Sequence, residues 1–277
     1  MDITPPIIAE LTGTWQVVGA AVQGVSHQKL DLPCQDVQGY RVLPGGLLLA
    51  ALADGAGTAV HSAEGARCAV ETALDTLAAA LEEGSPPDLP GYMDLLRFAY
   101  AQARQAVTAL AEETGQPERS YAATLICAIA GSDGLAVGQL GDGAVIARTP
   151  GGELLPVTRT QRGEYANETY FLCQEDALDL VEYHVLQQPV SGLAMMSDGL
   201  IRLALKLPSQ EPHAPFFQPL FAFAVSAGPM QQAAGQLAAF LDSERVRQRT
   251  DDDKALVLAV RLPPPIGQGT AAVQGDG

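Results

Sequence analysis

Residues Leu47 to Ala53 read Leu-Leu-Leu-Ala-Ala-Leu-Ala, apolar at every position, and break into Asp54-Gly55-Ala56-Gly57. A run of strand length with no polar alternation reads as a strand buried on both faces, and the rest of the chain is organised around it. The aspartate at its end sits where the backbone leaves the core and a site can open. A carboxylate there is costly to bury unless its charge is compensated, and a divalent cation is the usual compensation. The pattern recurs at Leu193-Ala194-Met195-Met196-Ser197-Asp198-Gly199-Leu200. One such strand is most often followed by a simple turn; two invite a shared explanation.

Around this run the periodicity sets out a sequence of elements. Thr14 to Val22 is rich in strand formers, and a polar loop from Gln23 to Pro33 leads to Cys34-Gln35-Asp36-Val37. A strand near Tyr40 to Leu43, the Pro44-Gly45-Gly46 turn and the buried run form a hairpin. From Ser62, a plausible N-cap, apolar residues recur at three and four, and Gly84-Ser85-Pro86-Pro87 ends that helix. A second helix spans about Tyr92 to Glu113, with Leu95, Leu96, Phe98, Ala99, Ala103, Val107 and Leu110 on its apolar side. Short turn-bounded strands are then predicted at 121–130, 134–140, 144–148, 154–158, 169–173 and 178–185, as an antiparallel meander. After a strand at 192–197 come helices near 201–205, 215–225 and 230–241, and a last buried strand at 255–261. The expectation is an α+β chain with sheet-on-sheet packing flanked by helices. Residues 1–13 read as an N-terminal extension, 14–262 as one domain, and 263–277 as a disordered Pro/Gly-rich tail.

Charge narrows the function. Sixteen basic residues against thirty-two acidic ones give a formal charge of -16. Such a surface repels nucleic-acid phosphates and anionic membranes, so neither is expected as a partner. The start shows no charged n-region followed by an apolar stretch, and no run approaches the roughly 20 residues of a membrane span. Cys34, Cys68, Cys127 and Cys173 form no CxxC pair, which argues against zinc and for free thiols in a reducing cytoplasm.

Acids standing at strand edges carry the chemistry: Asp36, Asp54, Asp198, and the Asp251-Asp252-Asp253 run before the last strand. Four carboxylates brought together cannot all stay ionised in a dry pocket without cations. Oxygen-only ligation favours magnesium or manganese over zinc. Two such ions sharing a carboxylate can activate water and clamp a phosphoryl group for in-line attack.

The ordered set Cys34-Gln35-Asp36, Ala53-Asp54-Gly55-Ala56-Gly57, Tyr121-Ala122-Ala123-Thr124-Leu125, Gly138-Gln139-Leu140-Gly141-Asp142-Gly143, Met196-Ser197-Asp198-Gly199-Leu200 and Asp252-Asp253-Lys254-Ala255-Leu256-Val257 resembles the metal-dependent PPM-type, or type 2C, serine/threonine protein phosphatases. The resemblance runs from about Trp15 to Leu262, and Gly163 to Thr169 looks like the flap region of a bacterial branch, with Tyr165 and Asn167 beside the site. It implies a two-sheet antiparallel β-sandwich flanked by antiparallel helix pairs, in four layers. It implies a hydrolase with two Mn2+ or Mg2+ ions, whose bridging hydroxide attacks phosphoserine or phosphothreonine without a covalent intermediate. By position, Asp54 bridges both ions, Gly55 lends its carbonyl, Asp198 and Asp252 hold one ion, and Asp36 acts through ordered waters. Asp251 and Asp253 are rivals of Asp252. The Gly141-Asp142-Gly143 turn matches one that is mainly structural, so Asp142 is left out of the ligand set.

Two departures stand out. The arginine that such proteins carry five residues before the first aspartate is Asp31 here, and His27 and Lys29 are the candidates to replace its grip on phosphate. Four residues after Asp198, where a third-metal acid can stand, is Arg202; it argues against a third ion, leaves Glu118 as the alternative contributor, and is itself a candidate substrate contact. The implied partner is a phosphorylated protein, a serine/threonine kinase or its target. The alternative reading is a catalytically weak or inactive phosphatase-like binding or regulatory module.

Overall fold

A computed structural model describes residues 13–82, 88–161 and 169–262. The expectations for 1–12, for the Gly84–Pro87 break, for Tyr165 and Asn167, and for the 263–277 tail fall outside those residues.

The elements run β1 (Trp15–Val22), α1 (Val25–Leu30), β2 (Val37–Leu43), β3 (Leu47–Ala53), α2 (Ser62–Glu82), α3 (Leu89–Thr114), β4 (Leu125–Ala130), β5 (Leu135–Leu140), β6 (Ala144–Arg148) and β7 (Leu154–Pro156). The second half runs α4 (Ala177–Leu180), β8 (Glu182–Leu186), β9 (Gly192–Met196), α5 (Ile201–Ala204), β10 (Leu205–Lys206), β11 (Glu211–Pro212), α6 (Ala214–Ser226), α7 (Met230–Leu241), α8 (Glu244–Arg247) and β12 (Lys254–Arg261). Two five-stranded sheets form, ordered β1-β12-β9-β6-β7 and β2-β3-β4-β5-β8, with β10-β11 as a separate ribbon. Every pairing is antiparallel.

The apolar run behaves as its pattern requires. Leu48, Ala50 and Leu52 enter the core between the sheets, beside Ile126, Val137, Val145, Met195 and Val257. Leu49, Ala51 and Ala53 face the opposite way, into the layer closed by α2 and α3. The other sheet is covered on its outer face by α5, α6 and α7 through Ile201, Phe217, Phe221, Leu237 and Leu241. With helices over both outer faces, a strand at the middle of either sheet has no wet side, so alternation disappears. The architecture is the expected α+β sandwich.

Several local readings differ. The polar loop after β1 contains α1, a six-residue helix whose N-cap, Gly24, has no side-chain cap. It is held from outside: Gly24 N–H donates to Asp253 Oδ1 at 2.5 Å, and Ser26 N–H to Asp251 O at 2.9 Å. So short a helix has no local signal to read. The buried stripe of α3 is Tyr92, Leu96, Ala99, Tyr100, Ala103, Val107 and Ala111, while Phe98 is 52% exposed. Tyr100 joins that stripe because its hydroxyl donates to Leu125 O at 2.7 Å. Ser62 does not cap α2; it is the first helical residue, and its buried hydroxyl has no hydrogen-bond partner. The entry is fixed instead by backbone bonds, His61 N–H to Ser120 O and Gly65 N–H to His61 O. The predicted strand at 169–173 is irregular and ends in a turn at 172–173, and 178–185 divides into α4 and β8. The strands from β4 onward form no single meander: β6 and β7 leave for the other sheet before β8 returns.

Candidate metal centre

At one end of the sandwich three carboxylates meet. Asp54 at the end of β3, Asp142 between β5 and β6, and Asp198 after β9 each offer an oxygen, and these oxygens lie within 4.8 Å of one another. Asp36, just before β2, is buried beside them, and Asp252 is exposed on the turn before β12.

Each acid is fixed by a neighbouring motif. Asp54 N–H donates to Thr124 Oγ1 at 2.9 Å, and Thr124 N–H returns a bond to Asp54 O at 2.8 Å. Gly55 pairs with Ala123 in a single antiparallel bridge, and Ala56 N–H reaches Ala122 O at 2.9 Å. The Ala122-Ala123-Thr124 segment therefore splints the Asp-Gly turn. Asp36 Oδ2 accepts from Ser197 Oγ at 2.6 Å, and that oxygen accepts in turn from Ala255 N–H at 2.9 Å. Ser197 thus ties Asp36 to both β9 and β12.

The Gly141-Asp142-Gly143 turn is braced by Gln139, fully buried, whose Nε2 donates to Gly141 O at 3.0 Å, Gly143 O at 3.1 Å and Arg159 O at 2.8 Å. Gly141 has φ +114°, and a Cβ there would lie 2.5 Å from Thr124 Cγ2, so glycine is required twice over. The turn is structural, as read from the sequence, yet it also brings Asp142 to the cluster. At Asp198-Gly199 a Cβ on the glycine would meet Asp253 O at 2.0 Å; the two turns approach too closely for any side chain.

The acidic run divides its work. Asp253 is buried; besides Gly24 N–H it accepts Gln35 N–H at 2.6 Å, and it stands 2.8 Å from His27 Nδ1 in a contact that is off-line for a hydrogen bond. It is a pin for the segments on either side of α1. Asp251 supplies its carbonyl to Ser26, leaving the exposed Asp252 as the member of the run with its carboxylate toward Asp198, whose pKa it helps to raise. Lys254, fully buried, runs its stem against Gly199 and donates from Nζ to Asp252 O at 3.1 Å. Sequence reading missed Ser197 and Lys254 as individuals, although both lie inside motifs it quoted.

The electrostatics are those of crowded carboxyls, three of them half-buried and Asp36 buried beside them. Burial pushes Asp36 up to about 8, with Asp253 and Asp198 adding to the rise. Asp54 is driven well above the usual carboxylate range by burial, then by Asp36, Asp198 and Asp142. Asp198 rises to about 6 through burial, Asp142 and Asp252. Oδ1 of Asp36 is buried with no hydrogen-bond partner. An all-oxygen donor set, mutual repulsion and an orphaned buried oxygen together fit hard divalent cations.

The candidate phosphate contacts are dispersed. His27 is buried and committed to Asp253, while Lys29 is exposed on α1. Asp31 is exposed at the left-handed C-cap of α1, φ 56°. Arg202 is exposed on α5, in the wall of a separate apolar cavity.

Comparisons with known proteins bear on the family and the fold. The family profile described as protein phosphatase 2C matches residues 23–242. Serine/threonine-protein phosphatase 3 of Escherichia coli (strain K12) is 35% identical over 254 residues, covering 89% of this chain and 98% of that protein. In fold, the chain is similar to the serine/threonine phosphatase Stp1 from Staphylococcus aureus, with TM-score 0.61 at 14% identity over 94% of this chain and 99% of that one. It is also similar to PppA of Pseudomonas aeruginosa, with TM-score 0.57 at 15% identity over 91% and 99%. A C. elegans sex determining protein shares the fold, with TM-score 0.64 at 16% identity over 94% of this chain and 68% of the other. With motifs, acid cluster and sandwich in agreement, the chain belongs to the protein phosphatase 2C family of serine/threonine phosphatases.

Proposed function

We propose that this chain hydrolyses phosphoserine and phosphothreonine on proteins at a two-cation centre, magnesium or manganese, held by Asp54, Asp142, Asp198 and Asp252. The observation that carries this reading is the convergence of three carboxylate oxygens within 4.8 Å, with Asp36 and Asp252 alongside. Divalent cations bound there supply positive charge to the phosphoryl oxygens and lower the pKa of the attacking water. Asp54 is immobilised through both of its backbone groups, which supports a bridging role that demands fixed geometry. The carbonyl of Gly55 is its natural companion. Asp36, held by Ser197 at one oxygen, keeps Oδ1 available for an ordered water and for the proton that water gives up. Direct attack by water needs no phosphoenzyme. Lys29 is exposed on the helix that precedes the first acid, and we assign it the contact with the substrate phosphate. The substrate class is a phosphoprotein; a serine/threonine kinase or its target fits by family analogy.

The test is phosphate release from phosphoserine, phosphothreonine and phosphotyrosine peptides by chelator-stripped protein, before and after manganese or magnesium is restored. Release from the first two peptides only with metal is expected. Metal binding without release would reject the enzyme. A non-hydrolysing phosphatase-like binding module is the second reading; it is favoured by Asp31 at the arginine position and by the engagement of His27 with Asp253.

A further inference from the structure

Away from the acid cluster, between α5, α6, α7 and α8, lies a cavity of about 730 Å³. That falls within the roughly 300–1,000 Å³ that small-molecule pockets occupy. Leu205, Phe216, Leu220, Phe223, Leu237 and Val246 make its apolar floor and walls. Its charged lining is cationic, Arg202, Lys206, Arg245 and Arg249, with His213 and the neutral Gln236 beside them. Among the described residues no aspartate or glutamate lines it, in a chain with thirty-two acids against sixteen lysines and arginines.

These cations are also largely unclaimed. Lys206 stands 3.9 Å from Glu211, but among the described residues Arg202, Arg245 and Arg249 have no carboxylate within ion-pair distance. Among the described residues three arginines elsewhere do find carboxylates, Arg41 with Asp75, Arg97 with Asp94 and Arg247 with Asp242. Three exposed guanidinium groups line this apolar pocket, Arg202 from α5 and Arg245 and Arg249 from the α8 segment, and form a surface complementary to one kind of molecule.

We propose that this cavity is a binding site for an amphipathic organic anion of the fatty-acyl type. The acyl chain lies against the phenylalanines and leucines of α6 and α7, and the carboxylate or phosphate headgroup is taken by Arg245 and Arg249 with Arg202. Burial of the chain supplies the affinity, and the arginines select the charged headgroup. A volume of about 730 Å³ suits one small ligand.

Calorimetric titration with decanoate, decyl phosphate, decanol, acetate and inorganic phosphate tests this directly, independent of turnover. One decanoate or decyl phosphate per chain is expected, about tenfold or more tighter than decanol, the worth of one charge-assisted hydrogen bond. Comparing the two headgroups distinguishes a carboxylate source from a phosphate source. Acetate and inorganic phosphate, lacking the chain, should not bind here. The double variant Arg245→Gln/Arg249→Gln, in exposed positions that leave the fold intact, should lose the preference for the anions and keep decanol binding. Leu220→Trp, which fills the cavity, should lose both. No saturable binding of either long-chain anion, equal binding of decanoate and decanol, or unchanged decanoate binding in the double variant would overturn the proposal.

Discussion

Ser197 Oγ stands 2.6 Å from Asp36 Oδ2 and accepts from the backbone of Ala255, so one buried hydroxyl joins an acid to two strands that the sequence places far from it. Replacing it with alanine leaves a buried carboxylate oxygen and a buried N–H without partners. Ser197→Ala should therefore cost roughly 1–3 kcal/mol of stability. Metal affinity should fall about 10–100-fold, as for other losses of a group that orients a ligand. Denaturant unfolding with and without manganese separates the two effects; unchanged metal affinity would reduce Ser197 to a structural bond.

Asp142 belongs with Asp54 and Asp198 by geometry, and Asp142→Asn should weaken manganese binding by about 10-fold or more, since loss of even an indirect contact typically does so. Its isosteric side chain keeps the turn that Gln139 braces. Metal affinity equal to wild type would return Asp142 to the purely structural part that its motif suggests.

Asp252 and Asp253 should separate cleanly. Asp253→Ala abandons two backbone donors and His27, and its cost falls on folding, roughly 1–3 kcal/mol for each buried donor left unsatisfied. Asp252→Ala touches an exposed side chain, should leave the unfolding midpoint of the metal-free protein nearly unchanged, and should weaken the metal. The reverse pattern in thermal unfolding and metal titration would exchange their roles.

Much of this arrangement was legible because burial leaves a period. Leu47–Ala53 announced a strand covered on both faces, and its twin at Gly192–Met196 did the same. What the sequence hid depends on tertiary partners. Nothing local distinguishes Asp253 from Asp252 until Gly24 and Gln35 present their N–H groups to one of them. Nothing local makes a helix of Val25–Leu30 before the acidic run takes hold of its start. Asp142 sits in a turn that matches a mainly structural one, and only the tertiary approach of β3 and β9 brings it beside Asp54 and Asp198. Phe98 was assigned to the wrong face because a broad apolar stripe on a long helix has two edges, and Tyr100 won the inner one through its hydroxyl.

The crowded carboxyls give a signed pH dependence. Asp36 near 8 and Asp198 near 6 hold protons in the folded, metal-free state that the unfolded chain, with aspartates near about 3.9, has released. The folded state therefore binds more protons across about pH 4 to 8, and these groups lower stability as pH rises through that window. Thermal unfolding in chelator should show the decline, Asp36→Asn should make it shallower, and saturating manganese should abolish its contribution from the cluster. A chelated wild type whose slope matches that of Asp36→Asn would remove Asp36 from the protonated set.

The central claim is that Asp54 anchors a metal-dependent phosphoprotein hydrolase. Its most direct test is hydrolysis of a phosphothreonine peptide by wild type and Asp54→Asn, side by side, in chelator and in manganese. Turnover by wild type only in manganese, and its loss in a folded Asp54→Asn protein, is the predicted result. Turnover that survives the chelator, or that Asp54→Asn retains in manganese, would contradict the account.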